Sequence, residues 1–456
     1  MADLRTTNPE PATPHPLDPA DVTPTGAPPD AVVEPEGPER HPHDRAPAMK
    51  TGASPDRAAA VPGLHPHDAA GPIVTDAPTP VDPVAGRGPA EPGEPAFVPP
   101  ASLADFAELA RAVLPAEVWD FVAGGSGTET TLAANRAALD RVAVLPRMLA
   151  GVDTPSTEAP LPGGRYALPV AVAPMAYQKL LHPDGEVGLA AAARAAGVPF
   201  VASTLASTPI EEVAAVGGTV WFQLYWLRDR AMVADLLDRA LTAGCAGLMV
   251  TVDVPVLGRR LRDVRNGFAL PPHVTAANLP GGRNDLAHQG TPGVSAVAAH
   301  TGAVFAPALS WADLAWLRER TPVPLFVKGI LDPRDAVRAA ELGVDAVVVS
   351  NHGGRQLDGA PGSAAVLPEV VAAVGERCAV LLDSGVRGGT DVLRALALGA
   401  AGVLVGRPLL WALAAGGRAG AEAALALLAA ELRDAFILSG CADPAAAREL
   451  RTRTGG

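Results

Sequence analysis

Apolar positions along this chain are grouped in short blocks rather than spread evenly. "PVAVAP" (169–174), "PFVAST" (199–204), "VWFQLY" (220–225) and "GLMVTVDV" (247–254) are four of them. "LFVKGI" (325–330), "DAVVVSN" (345–351), "AVLLDSG" (379–385) and "GVLVGRP" (402–408) are four more. Short continuous runs bounded by glycine, proline and polar residues predict strands covered on both faces. Most are separated by Ala/Leu-rich stretches such as "DGEVGLAAAARAAG" and "RDRAMVADLLDRALTAG", which predict helices. Eight buried strands alternating with helices predict an α/β fold, the closed parallel TIM (β/α)8 barrel. A doubly wound sheet would alternate in the same way, but no GxGxxG opens a helix after an early strand. The one long gap, 255–324, predicts an excursion after the fourth strand, and its polar, glycine-rich part at 271–306 is expected to be a mobile lid.

Composition divides the rest of the chain. Residues 1–98 contain about half of the 47 prolines and almost no aromatic residue, so they cannot bury enough apolar surface to offset ordering entropy. They are expected to form a disordered Pro/Ala-rich extension, in which "HPHD" at 41–44 and 65–68 has no fold to make it a metal site. Globular texture starts near "SLADFAELARAVLP" (102–115), giving a barrel domain over 99–440 and a C-terminal tail over 441–456.

A net charge of −13 argues against a nucleic-acid binder or an anionic-membrane binder, since both need a basic face. It leaves room for a small anionic substrate. Cys245, Cys378 and Cys441 are far apart, so neither a disulfide framework nor a metal site is expected. No apolar signal core opens the sequence and no run approaches the ~18 apolar residues of a membrane span. A soluble cytoplasmic protein is the expectation. Lysine is scarce: only Lys50, Lys179 and Lys328 occur.

The C-terminal strand ends of such a barrel carry its functional groups. Read in order they hold Ser203, Gln223 and Tyr225, Thr251 and Asp253, Lys328, His352 and Arg355, Asp383 and Arg387, and Gly406-Arg407. The last two loops, "DSGVRGG" and "GRP", combine open glycine backbone with Arg387 and Arg407, as a phosphate cradle requires. Earlier amide and hydroxyl groups suit a flat phosphorylated cofactor, and Lys328 would face the ring, where a compact cation stabilises charge that develops on reduction. Arg260 and Arg355 can clamp a carboxylate, His352 paired with Asp253 can act as a base near neutral pH, and Tyr225 can orient an alcohol. Together they predict removal of a proton and a hydride equivalent from a carboxylate-bearing alcohol.

From about 102 to 440 the chain resembles the FMN-dependent α-hydroxy acid oxidases and dehydrogenases, which include glycolate oxidase, lactate oxidase and mandelate dehydrogenase. The resemblance rests on "SNHGGRQLDG", "TVDVPVLGRRLRDVRNGF", "FQLYWLRDR", "VKGI", "DSGVRGGTDVLRALALGA" and "VGRP", and on "LPAEVWDFVAGGSGTETTLAANRAALDRVAVLPRML" near the start. It implies His352 as base with Asp253 as partner, Arg260 and Arg355 on the substrate carboxylate, Tyr225 on the hydroxyl and Lys328 beside the flavin. FMN contacts would come from Pro174, Met175 and Ala176, from Ser203, Gln223, Thr251 and Ser350, and from Asp383, Gly385, Arg387, Gly406 and Arg407. It also implies a 2-hydroxy acid substrate, oxygen or another electron acceptor, and a homotetramer. The chain departs from the family pattern twice. Phe121 stands where most members have tyrosine, and Leu205 where many have tryptophan. The phenylalanine, with "VWDFVAGG" and "GRRLRDVRNGFALPPHVTAANLPG", is similar to the 4-hydroxymandelate oxidase branch. Both departures predict a less polar or roomier pocket, suited to a bulky aromatic 2-hydroxy acid. A related FMN barrel acting as an isomerase or tailoring oxidase would not need the paired arginines, and a non-catalytic barrel would not need His352.

Overall fold

The computed structural model describes residues 97–280 and 285–455. The expected disorder of the N-terminal extension, and both "HPHD" repeats, fall outside these residues except for Phe97 and Val98. Phe97 already belongs to the globular part: its ring stacks on Phe106 with centroids 6.1 Å apart. The packed domain therefore begins no later than Phe97, ahead of the expected boundary at 99.

Eight parallel strands close into a barrel. They are Val170–Val172, Phe200–Ser203, Val220–Tyr225, Gly247–Thr251, Leu325–Ile330, Ala346–Val349, Ala379–Leu382 and Gly402–Val405. All eight apolar blocks of the sequence become these strands. Their side chains divide between two cores. One set, including Val170, Phe200, Phe222, Val250, Val327, Val347, Leu382 and Val403, packs outward against the helices. The other set, Ala171, Val201, Trp221, Met249, Phe326, Val348, Leu381 and Leu404, fills the barrel interior. Trp221 and Phe326 meet at 4.4 Å between centroids. The hairpin of Ala159–Leu161 and Gly164–Tyr166 supplies Leu161 and Tyr166 to this inner core. With the interior packed, the open end of the strands is left for chemistry.

Among the described residues three helices precede the barrel: Asp105–Val113, Ala116–Ala123 and Thr130–Asp140. The loop after the sixth strand ties the second and third of these to the rim. Asp358 accepts hydrogen bonds from the Thr128 and Thr131 amides at 2.8 and 2.9 Å. Gln356 donates to the Asp253 and Val256 carbonyls at 2.7 and 2.8 Å. The glycine pair in this loop has a steric cause. A Cβ on Gly354, whose φ is +75°, would lie 2.5 Å from the Leu132 amide nitrogen, and one on Gly353 would lie 2.8 Å from an Arg407 nitrogen.

The excursion and the C-terminal segment both make tertiary contacts. Within the excursion Val274 and Ala276 are fully buried, and the Ala277 amide donates to Ala206 O at 2.9 Å. Its helix Ala296–Val304 is N-capped by Ser295. The segment 441–456 is not a free tail. It forms helix Pro444–Arg448 and a strand, Thr452–Thr454, which pairs antiparallel with Val142–Val144. Local sequence could not show this, because the partner strand lies some three hundred residues away.

The Leu132 backbone cannot retreat from Gly354, so Gly354→Ala is expected to destabilise the protein by about 3 kcal/mol, combining positive-φ strain with a backbone clash. Chemical denaturation at pH 7 measures this, and a change below about 1 kcal/mol would show that the loop can shift off the helix.

Candidate active site

The cavity at the open end of the barrel contains about 1080 Å³ of space between atoms, including its mouth. Tyr225, Lys328, His352, Arg355, Asp383, Arg387 and Arg407 line it, with Phe121, Leu205, Arg260, Met175 and Ala176. The strand ends thus bring together the residues singled out for chemistry.

The loop begins with His352 in the left-handed region, at φ +60°. Its Nδ1 donates to Asp253 Oδ1 at 3.0 Å, which leaves Nε2 as the acceptor, 3.5 Å from the Tyr225 hydroxyl. Burial lowers the pKa of His352, with Asp253 pulling the other way and Lys328 adding to the fall. The imidazole is therefore neutral and able to accept a proton at pH 7. Burial also raises the Tyr225 pKa, to about 12, so the phenol stays protonated. The approach of Asp253 explains the glycine of "VKGI": a Cβ on Gly329 would lie 2.6 Å from Asp253 Cβ.

Lys328 is buried and paired. Its Nζ lies 3.0 Å from both Ser350 Oγ and Asp383 Oδ2, and Ser350 Oγ donates to the same carboxylate at 2.5 Å. Burial would lower the Lys328 pKa, but Asp383 and Asp253 outweigh it and the net shift is upward. Burial would raise that of Asp383, but Lys328 and Ser350 turn the net shift downward. Ser203, Gln223 and Thr251 form a row behind the cavity surface. Ser203 Oγ donates to Gln223 Oε1 at 3.2 Å, and Gln223 Nε2 donates to Thr251 Oγ1 at 2.9 Å. These three, with Pro174 and Ser350, are not on the cavity wall itself.

The four arginines are short of negative partners. None of Arg260, Arg355, Arg387 or Arg407 is paired with a carboxylate among the described residues. Arg407 donates instead to the Val122, Gly353 and Gly124 carbonyls at 3.0, 3.0 and 2.9 Å, and Arg355 shares the Gly124 carbonyl at 2.8 Å. Burial, with repulsion from Arg136, pushes Arg387 down to about 10, and burial, with repulsion from Arg387 and Arg260, pushes Arg407 down to about 9. Both remain charged at neutral pH, and Asp383 opposes the fall at each. Arg355 is pulled well below its usual value, by burial first and then by Arg260 and Arg407.

Phe121 also has a physical reason. Its ring stacks on Phe268 with centroids 4.5 Å apart, and the guanidinium carbons of Arg355 and Arg260 lie 5.4 and 5.9 Å from its centroid. An aromatic face is a favourable seat for two cations that feel Asp263 without pairing with it. Sequence reasoning missed Phe268, and it missed Phe305, which stacks on Tyr225 at 4.5 Å. It missed Val297 and Thr301, which stand in the wall beside Phe305, and also Tyr177. Only Tyr177 carried a signal, being one of three tyrosines in the chain.

Residues 110–453 match the family described as FMN-dependent dehydrogenase. The chain belongs to this family. It is 57% identical over 354 residues to the 4-hydroxymandelate oxidase of Amycolatopsis orientalis, covering 78% of this chain and 98% of that protein. It is 47% identical over 349 residues to an L-lactate oxidase of Nostoc sp., covering 75% and 95%. A solved structure of mandelate oxidase with (S)-4-hydroxymandelic acid superposes with a TM-score of 0.76 at 56% identity, covering 78% of this chain and 99% of that one. Family membership makes FMN the cofactor, and the cavity fits it. Arg387 and Arg407 need an anion. Gly385, Arg387, Gly406 and Arg407 line the cavity together where the helix starting at Arg407 opens, a setting that suits a phosphate.

In this FMN-dependent enzyme the Lys328–Asp383 pair should stabilise the fold across a wide pH window. The lowered Asp383 pKa contributes stability above ~4, lost as pH falls through the folded value, and the raised Lys328 pKa contributes below ~10, lost as pH rises through its own. Asp383→Asn should cost about 3–5 kcal/mol at pH 7, because it leaves Lys328 buried without a counter-charge. Denaturant titrations at several pH values should show the deficit narrowing below pH ~4.

Proposed function

We propose that this enzyme oxidises an aromatic 2-hydroxy acid of the mandelate type to the 2-oxo acid. The observation that carries this reading is the pair Arg260 and Arg355. Neither forms an ion pair with a carboxylate among the described residues, both lie over the Phe121 ring, and they line one cavity with Leu205, Val254, Leu257, Val297 and Phe305. A carboxylate answers the arginines, and an aromatic ring suits the wall. The similarity to a 4-hydroxymandelate oxidase and a mandelate oxidase supports the same substrate class. An isomerase or tailoring oxidase of the same barrel type would leave the two arginines without a use.

Arg260 and Arg355 hold the carboxylate, and Tyr225 orients the 2-hydroxyl toward His352 Nε2. His352 takes the hydroxyl proton, and Asp253, accepting from Nδ1, fixes the ring and stabilises the imidazolium that forms. Bound FMN would supply the two-electron acceptor for the C2 hydrogen, with oxygen or another acceptor restoring it. Arg387, Arg407 and the Gly385 and Gly406 backbones would hold its phosphate. Met175 and Ala176 would meet the rest of it, with Pro174, Ser203, Gln223, Thr251 and Ser350 backing the wall from behind. Lys328, held by Asp383, would place positive charge beside its ring. A cytoplasmic homotetramer completes the reading, on the family resemblance and the sequence features above. Light scattering and cell fractionation test those two points.

The purified protein should be yellow and should bleach without oxygen on adding a mandelate-type acid, with higher kcat/KM than for glycolate or lactate. Preference for glycolate over every aromatic acid would refute the substrate class. His352→Ala should keep FMN and lose turnover by ~10²–10⁴-fold. The acid limb of kcat/KM in the wild type should lie below pH ~6.5, because burial lowers the His352 pKa. A yellow His352→Ala variant of near-normal activity would assign the proton to another group.

A further inference from the structure

One polar group in the cavity wall has no role in this account. Tyr177 directly follows Ala176 at the end of "APMAY", where its φ of +56° places it in the left-handed region. Its amide donates to Leu205 O at 3.1 Å, seating it beside the position where many family members have tryptophan. The side chain is fully buried and lines the cavity with Arg260, Tyr225 and Leu205. Its hydroxyl has no hydrogen-bond partner among the described residues. A phenol sealed from water in this way is costly unless something else completes it.

A second unpartnered group helps decide what that is. Arg260 Nε also has no acceptor among the described residues. The charges of Tyr225 and Arg260 both reach the Tyr177 phenol. Burial raises its pKa, so it remains a hydrogen-bond donor at any working pH. Two donors in one corner are answered together by one anionic acceptor. A hydroxyl on the substrate's ring would answer only Tyr177.

We propose that Tyr177 is a specificity-determining residue whose hydroxyl donates to the substrate carboxylate alongside Arg260, supplying from the first strand the hydroxyl that Phe121 lacks. This inference rests on the proposed oxidation of an aromatic 2-hydroxy acid. It assigns the carboxylate a third donor on the face away from the Phe121 ring.

Binding of unreactive acids to the FMN-loaded enzyme, followed by flavin absorbance, tests the proposal apart from turnover. Tyr177→Phe should weaken phenylacetate roughly 10- to 100-fold, the usual worth of a hydrogen bond to a charged group. 4-Hydroxyphenylacetate should lose as much, while neutral phenylacetamide should change little. Phe121→Tyr should recover more affinity in the Tyr177→Phe background than it adds to the wild type. If Tyr177→Phe does not load FMN, Tyr177→Met fills similar volume without a donor and must show the same selective loss. Unchanged phenylacetate affinity overturns the proposal, and so does a loss confined to 4-hydroxyphenylacetate, which would place the phenol on the ring substituent. A wild type that binds no phenylacetate and oxidises no 2-hydroxy acid would refute the substrate reading itself. A wild type that does both, matched by its variants, refutes only the role of Tyr177.

Discussion

Positive charge buried without equal negative charge is the constraint around which the rim of this barrel is arranged. Lys328 is neutralised by Asp383, which accepts from Ser350 as well. Arg407 and Arg355 are held by main-chain carbonyls instead, and Arg355 and Arg260 by the face of Phe121. Carbonyls and a ring face orient a guanidinium without cancelling its charge. The cavity therefore stays electropositive inside a chain whose net charge is −13. Such a site favours anions, as the proposed phosphate and carboxylate contacts require.

The loop after the sixth strand meets this constraint and holds the fold together at once. His352 and Arg355 face the cavity, while Gln356 and Asp358, a few residues on, fasten the loop to the fourth-strand segment and to the helix Thr130–Asp140. Ser126 Oγ adds a hydrogen bond to the Gln356 carbonyl. Catalytic placement is thus inseparable from the docking of the N-terminal helices. The same helices supply Val122 O and Gly124 O, the acceptors shared by Arg355 and Arg407. A fault in the loop should be felt in stability and in chemistry together.

The eight apolar blocks at 169–408 were sufficient to define the barrel, because strands covered on both faces must be continuously apolar whatever surrounds them. The strand-end rule then singled out Tyr225, Lys328, Arg260, Arg355, His352 and Asp253, which the structure brings to one cavity, Asp253 through His352. The tertiary structure decided matters that depend on distant partners. It packed Val274 and Ala276 into the core, paired Thr452–Thr454 with Val142–Val144, and stacked Phe268 and Phe305 against Phe121 and Tyr225. It also withheld a partner from the Tyr177 hydroxyl. Periodicity reports which face of a segment is buried, and motif spacing reports which groups share a rim. Neither reports what lies opposite a side chain after the chain has closed on itself, and the partners of these residues are set by that closure.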